Sequence, residues 1–172
     1  VLVNGTLIAH GELVVVNDRS NDSTYDFLRE AMEKDPRLKM VNVKDTPDHI
    51  SSKKYAITLG VRAAAHEWIL LTDADCRPAS DQWVRQMSNQ FRDETRFVLG
   101  FSPYLERPGF LNLFIRFESL ITALQYLSFA ALRNPYMGVG RNLAYRKSLF
   151  LEKKGFNNFL HVTGGDDDLF VN

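Results

Sequence analysis

Leu13-Val14-Val15-Val16, bounded by Gly11 and Asn17-Asp18, is a short β-branched run and predicts a buried strand. Ser20-Asn21-Asp22-Ser23 then offers N-cap residues for a helix from about Thr24 to Lys34, with Tyr25, Leu28, Ala31 and Met32 as its apolar stripe. Asp35-Pro36 ends that helix, and Met40-Val41-Asn42-Val43 predicts a second strand. Beyond a loop around Thr46-Pro47, Ser51-Ser52 cap a helix to about Ala65, whose inner face is Ile57, Gly60, Val61 and Ala64. Trp68–Thr72 is a third strand. Ser80 or Asp81 caps a helix with Trp83, Val84, Met87 and Phe91 inward, and Phe97–Phe101 is a fourth strand. Strands alternating with helices at this spacing predict an α/β fold on a parallel or mostly parallel sheet.

The second half has a different texture. Leu111–Leu132 is apolar nearly all round, the pattern of a helix that is buried or lies at an interface. Asn112, Arg116, Glu118 and Gln125 interrupt it, and charges near the middle of a span are costly, so it does not read as a transmembrane helix. Pro135–Gly140 is rich in turn formers, Asn142–Tyr145 predicts a short strand, and Lys147–Lys153 a helix stopped by Gly155. There is no internal repeat.

Composition narrows the chemistry. At 172 residues the chain suits one domain. Its 21 basic side chains equal its 21 acidic ones, so no global field draws in nucleic acid, and none is expected as a partner. One cysteine, Cys76, excludes an internal disulfide and a multi-cysteine zinc site. The four histidines, at 10, 49, 66 and 161, have no metal-ligand spacing.

Against that background the acidic positions stand out. Asp73-Ala74-Asp75 follows the apolar run Trp68–Thr72. On extended backbone two carboxylates one residue apart point the same way, about 6.6 Å apart at ~3.3 Å per residue, and can address one divalent cation. Ligands of open α/β sheets bind outside the carboxyl ends of strands, where this pair would lie. The spacing alone is weak, since thirteen aspartates in such a chain supply about one Asp-x-Asp by chance. Asn17-Asp18 and Asp166-Asp167-Asp168 are the other acidic sites next to predicted strands or loops.

Taken in order, five segments resemble the family 2 glycosyltransferases of the GT-A fold. Val15–Thr24 looks like that family's strand followed by "DDGSTDGT", and Ser52–Gly60 is similar to its "GKxxALNxG" helix start. Trp68–Asp75 looks like its "ilfLDADc" strand with the DxD motif. Gly138–Arg146 resembles "G.N.ayRr", and Gly165–Leu169 resembles the "GED" cluster that carries the base. Asn17 and Arg19 stand where the family has Asp and Gly. The family's first strand is not recognisable before Leu13, and its "QxxRW" segment is absent after the acidic cluster. The chain is therefore expected to be a piece of a longer protein, truncated at both ends.

The resemblance implies a nucleotide-diphospho-sugar transferase fold, Rossmann-like, with three α/β/α layers on a mostly parallel sheet. About 1–101 would form the nucleotide-sugar half and about 102–172 the acceptor half of one catalytic domain. It implies metal-assisted transfer of a sugar from a UDP- or GDP-sugar to an acceptor hydroxyl, on a glycan or a lipid-linked acceptor, with inversion. Asp18 would contact the nucleotide base, Lys53 the diphosphate and Asp73 the ribose. Asp75 would ligate Mg2+ or Mn2+. Asp167, or Asp168 in the other register, would be the general base. The expected setting is polysaccharide biosynthesis at the cytoplasmic face of a membrane, with 111–132 touching the membrane surface. The rival readings are a nucleotidyltransferase, which would normally bring a glycine-rich basic phosphate loop not seen here, and a non-catalytic sugar- or metal-binding module.

Overall fold

The computed structural model describes residues 11–48, 50–157 and 165–171, the side chains of Asp166 and Leu169 excepted. His10, His49 and His161 lie outside the described residues. The first predicted unit forms as β1 (Leu13–Asp18), α1 (Thr24–Lys34) and β2 (Leu38–Val43). β1 and β2 pair in parallel, from Leu13 opposite Leu38 to Asp18 opposite Val43. Ser23 takes the N-cap position of α1 without a side-chain cap bond. The Asp22 carboxylate instead accepts the Thr24 N–H at 3.0 Å. Only Leu28 of the expected stripe is buried, while Tyr25 and Met32 are exposed, because α1 meets β2 along a narrow line. α2 (Ser52–Ala63) packs on β1 and β2. A Cβ on Gly60 would sit 3.0 Å from Val16 Cγ2, so glycine there lets helix and strand approach closely.

A second ladder holds β3 (Trp68–Leu71), β4 (Phe97–Leu99) and β5 (Leu143–Arg146) in the order β3-β5-β4. β5 runs antiparallel to both neighbours, so β3 and β4 run parallel to each other. The expected parallel character is met in β1–β2 and in the shared direction of β3 and β4. The reversed strand is β5, which enters from the turn-rich segment before it rather than through a helical crossover.

Residue alternation in these strands builds the layers. Leu143 and Tyr145 of β5, with Ile69, Leu71, Phe97 and Leu99, face Val61 and Ile57 of α2, Phe150 of α5 (Lys147–Glu152) and Phe170 and Val171 of α6 (Asp166–Val171). Ala144, Val98, Trp68 and Leu70 face the opposite side, against Trp83 and Met87 of α3 (Trp83–Ser88) and Phe91. A sheet with period-two burial on both faces and helices over each is a three-layer α/β/α arrangement. Aromatic contacts dominate the first face: Tyr145 stacks on Phe150 with centroids 5.7 Å apart, and Phe170 meets Tyr145 at 4.9 Å and Phe150 at 5.2 Å. Pairs in such geometries add about 0.5–1.5 kcal/mol beyond the area they bury.

The long helix α4 (Phe110–Ala131) departs from a core reading. Ala123 and Tyr126 are its buried residues, and the Tyr126 hydroxyl donates to Gly100 O at 2.9 Å. Phe110, Leu113, Phe114, Phe117, Leu120 and Leu124 are exposed, and they recur at three- and four-residue spacing as one stripe. The helix is docked through its C-terminal half, and its apolar stripe meets none of the described residues closely enough to be covered. Among the described residues no helix is long and apolar enough to cross a membrane.

Candidate active site

The DxD pair sits just past β3, where the chain turns instead of continuing as a strand. Cys76 N–H donates to Asp73 O at 3.1 Å, closing a turn over Asp73–Cys76. The extended geometry expected for the pair is therefore replaced by a tighter one. Oxygens of Asp73 and Asp75 and the Cys76 sulfur all lie within 4.8 Å of one another. Both carboxylates are exposed, so an ion could reach them. Carboxylate oxygens suit a hard divalent cation such as Mg2+ or Mn2+. The thiol suits it poorly. Burial pushes the Cys76 thiol up, the charges of Asp73 and Asp75 add to this, and it donates to Asp75 Oδ1 at 3.8 Å. Cys76 thus contacts one carboxylate of the pair through its thiol.

Around the pair the structure gathers the nucleotide-side candidates. Lys53 Nζ lies 4.0 Å from Asp73 Oδ1, with more than half of its side chain exposed. Asp18, at the carboxyl end of β1, pairs with Arg19 Nε at 2.9 Å, and Arg19 Nη2 donates to Ser52 Oγ at 2.9 Å. The contacts run Asp18, Arg19, Ser52, Lys53, Asp73, so these candidates border one surface. Arg19 has φ +56°. The left-handed conformation explains why glycine suits that position, and Arg occupies it here at a cost in backbone strain. Asn17 is buried and donates from Nδ2 to Asn42 Oδ1 at 2.8 Å, a place where a carboxylate would have to lose its hydration.

Of the two adjacent lysines at the start of α2, Lys54 is fully buried while Lys53 is exposed. Neighbouring helix positions are turned by about 100°, so one lysine faces the sheet and the other the site.

The loop before β5, whose Gly140–Asn142 turn touches β3, forms another wall. Asp167 Oδ2 accepts the Gly140 N–H at 2.8 Å, and Asp168 Oδ1 accepts the Gly138 N–H at 3.2 Å. Each candidate base thus clasps one N–H of the same loop. A Cβ on Gly140 would fall 2.5 Å from Asp167 Oδ2, so the contact requires glycine. Burial pushes the Tyr145 phenol up, and the nearby Asp167 charge pushes it further. Asp166, the remaining member of the cluster, has its side chain outside the described residues.

Two residues unmarked by sequence reasoning complete this wall. Asn142 accepts from Trp83 Nε1 at 2.9 Å, donates to Phe101 O at 3.0 Å, and its carbonyl accepts the Gly100 N–H at 2.9 Å. It locks the loop to the segment just after β4. Arg141 lies over the Tyr104 ring, 4.8 Å from its centroid. The only sequence signal for either was their place inside the Gly138–Arg146 segment.

A three-layer α/β/α fold with paired carboxylates at a strand end, and a second acidic cluster held on the loop before β5, is the GT-A arrangement of nucleotide-diphospho-sugar transferases. The chain belongs to glycosyl transferase family 2: the family model matches residues 9–152, and sugar transfer is its class of chemistry. Among solved structures it is similar to the mannosyltransferase PcManGT from Pyrobaculum calidifontis in complex with GDP-Man and Mn2+. That likeness has a TM-score of 0.65 at 21% identity, and it covers 92% of this chain and 41% of the mannosyltransferase. The chain thus spans less than half of the length of that relative. No curated protein matches it.

Proposed function

We propose that this chain carries the catalytic site of a transferase that moves a sugar from a UDP- or GDP-sugar to an acceptor hydroxyl, with inversion. The observation that carries this reading is the convergence of Asp73 and Asp75 at the end of β3, beside Lys53. Asp18 would take the base, Lys53 the diphosphate and Asp73 the ribose. Asp75 would hold Mg2+ or Mn2+, and a cation there offsets charge developing on the leaving diphosphate. The Mn2+ and GDP-Man in the similar mannosyltransferase support a nucleotide-sugar donor and a divalent cation. Asp167 takes the proton from the acceptor hydroxyl as its oxygen bonds to the anomeric carbon. The bond from that carbon to the diphosphate breaks, and its electron pair leaves with the diphosphate. One displacement of this kind inverts the centre.

Calorimetry with GDP-mannose and UDP-glucose, with and without Mn2+, tests the reading. Binding of one donor is expected to strengthen with Mn2+, and Asp75→Ala should bind that donor no better with the metal than without it. Equal metal dependence in Asp75→Ala would remove Asp75 from the site. Failure of the folded chain to bind any donor would count against the transferase reading.

We further infer that the α4 stripe lies on a membrane surface at the cytoplasmic face, bringing the site to a lipid-linked or membrane-borne acceptor. Exposed Phe110, Phe114 and Phe117 supply the apolar body, and exposed Arg107 supplies charge for anionic headgroups. The chain should therefore co-sediment with vesicles containing phosphatidylglycerol. A Phe114→Asp, Phe117→Asp double variant should stay in the supernatant with an unchanged circular dichroism spectrum. Equal sedimentation of both proteins would refute the assignment.

A further inference from the structure

Between α4 and the loop before β5 lies a cleft of about 300 Å³, and Arg141 is the one cation among its lining residues. Tyr104, Ile115, Tyr126 and Met137 give it an apolar and aromatic wall, and its one acid, Glu118, is exposed. Resting on the transferase reading, we propose that this cleft receives the acceptor and that Arg141 selects acceptors bearing an anionic group, a phosphate or a carboxylate, near the reacting hydroxyl.

The argument starts from how Arg141 is held. Its contacts among the described residues are neutral: the Tyr104 ring at 4.8 Å, the Tyr104 hydroxyl at 3.4 Å and Ser102 O at 3.5 Å. It forms no ion pair with any described residue. Both hydrogen bonds are long beside the usual 2.9–3.0 Å or so for N–H···O, so stacking orients the group while its donors stay underused. A guanidinium presents five N–H donors in a planar fork that fits phosphate or carboxylate in bidentate fashion. A charge half-shielded from water and without an ion pair among the described residues has donors to offer an anion.

Placement assigns the missing partner to the acceptor. Met137, Val139 and Arg141 wall the cleft, and they alternate with Gly138 and Gly140, whose N–H groups are clasped by Asp168 and Asp167. A molecule in the cleft therefore lies against the loop that the candidate bases hold. The donor diphosphate, by contrast, already has Lys53 and the Asp75 site under the transferase reading, and neither lines the cleft. The Arg141 charge does reach Cys76 beside that site, so a role on the donor diphosphate is the competing outcome.

The test uses the full chain with Mn2+. Octyl phosphate and octyl glucuronide serve as anionic probes and octyl glucoside as the neutral one, all below their critical micelle concentrations. Affinities are read by saturation-transfer NMR, and donor affinities by calorimetry. Wild type is expected to bind at least one anionic probe tenfold or more tightly than the neutral probe. The phosphate and glucuronide arms tell which anion is preferred. Arg141→Ala should erase the preference and Arg141→Lys keep part of it, each with a native circular dichroism spectrum and a donor Kd within twofold of wild type. No preference in wild type, including no binding at all, overturns the proposal. So does a preference that survives in Arg141→Ala. Weaker binding of GDP and UDP in Arg141→Ala, with GMP and UMP unaffected, would assign Arg141 to the leaving diphosphate instead. A chain that binds no nucleotide sugar while still preferring the anionic probe would defeat the transferase reading and leave the anion site standing.

Discussion

Asp167→Asn is expected to lower the rate of sugar transfer by about 10²–10⁴-fold, the range a positioned general base contributes, while donor affinity stays near its wild-type value. The substitution is nearly isosteric, and an amide oxygen can still accept the Gly140 N–H that Asp167 Oδ2 now accepts at 2.8 Å. The loop should keep its place, so the loss reports proton transfer alone. Asp168→Asn, with its own bond to Gly138 N–H, is expected to cost much less. Steady-state kinetics with a radiolabelled donor and calorimetry on the same samples measure both quantities. A large loss in Asp168→Asn with little in Asp167→Asn would transfer the role to Asp168. Collapse of donor binding in Asp167→Asn would show that the acidic cluster serves the donor.

The second large effect concerns stability and reaches the site through packing. Phe150 is almost completely buried and touches Tyr145, Phe156 and Phe170. Phe150→Ala should destabilise the chain by about 3–5 kcal/mol, the transfer and cavity cost of deleting a core phenylalanine. At this size that lowers Tm by roughly 6–20 °C. Phe170 lies on α6 together with Asp167 and Asp168, so the cavity opens beneath the helix that presents the candidate bases. Transfer should therefore fall in Phe150→Ala at temperatures where the chain is still folded, with donor binding less affected. Thermal melts followed by circular dichroism give the first quantity and assays well below Tm the second. A Tm within about 2 °C of wild type would mean the site collapses around the smaller side chain or that the core is looser than its burial implies.

Much of this architecture was legible along the chain. The helix at Thr24–Lys34, the strands at 13–18 and 68–71 and the long helix after Gly109 follow from apolar spacing and from turn and cap residues. Those signals are local, and the aromatic and β-branched residues that carry them also pack the core. The DxD pair, Lys53 and the acidic cluster were legible because their order along the chain repeats a family pattern. Arg141 and Asn142 were not, since their significance lies in partners up to 59 residues away, Trp83 among them.

The sequence by itself determined most segments that become helices and strands and marked which carboxylates are candidates for the chemistry, because periodicity and motif order are properties of the chain. Only the tertiary structure decided how those groups meet. It turned the chain after β3 so that Asp73, Asp75 and Cys76 converge, and sent Lys54 inward while leaving Lys53 at the site. It reversed β5 between β3 and β4, and set Gly138 and Gly140 against Asp168 and Asp167. It also left the apolar stripe of α4 uncovered. The reason is physical: contact between distant segments depends on which faces can be buried together, a condition that spacing along one chain does not contain.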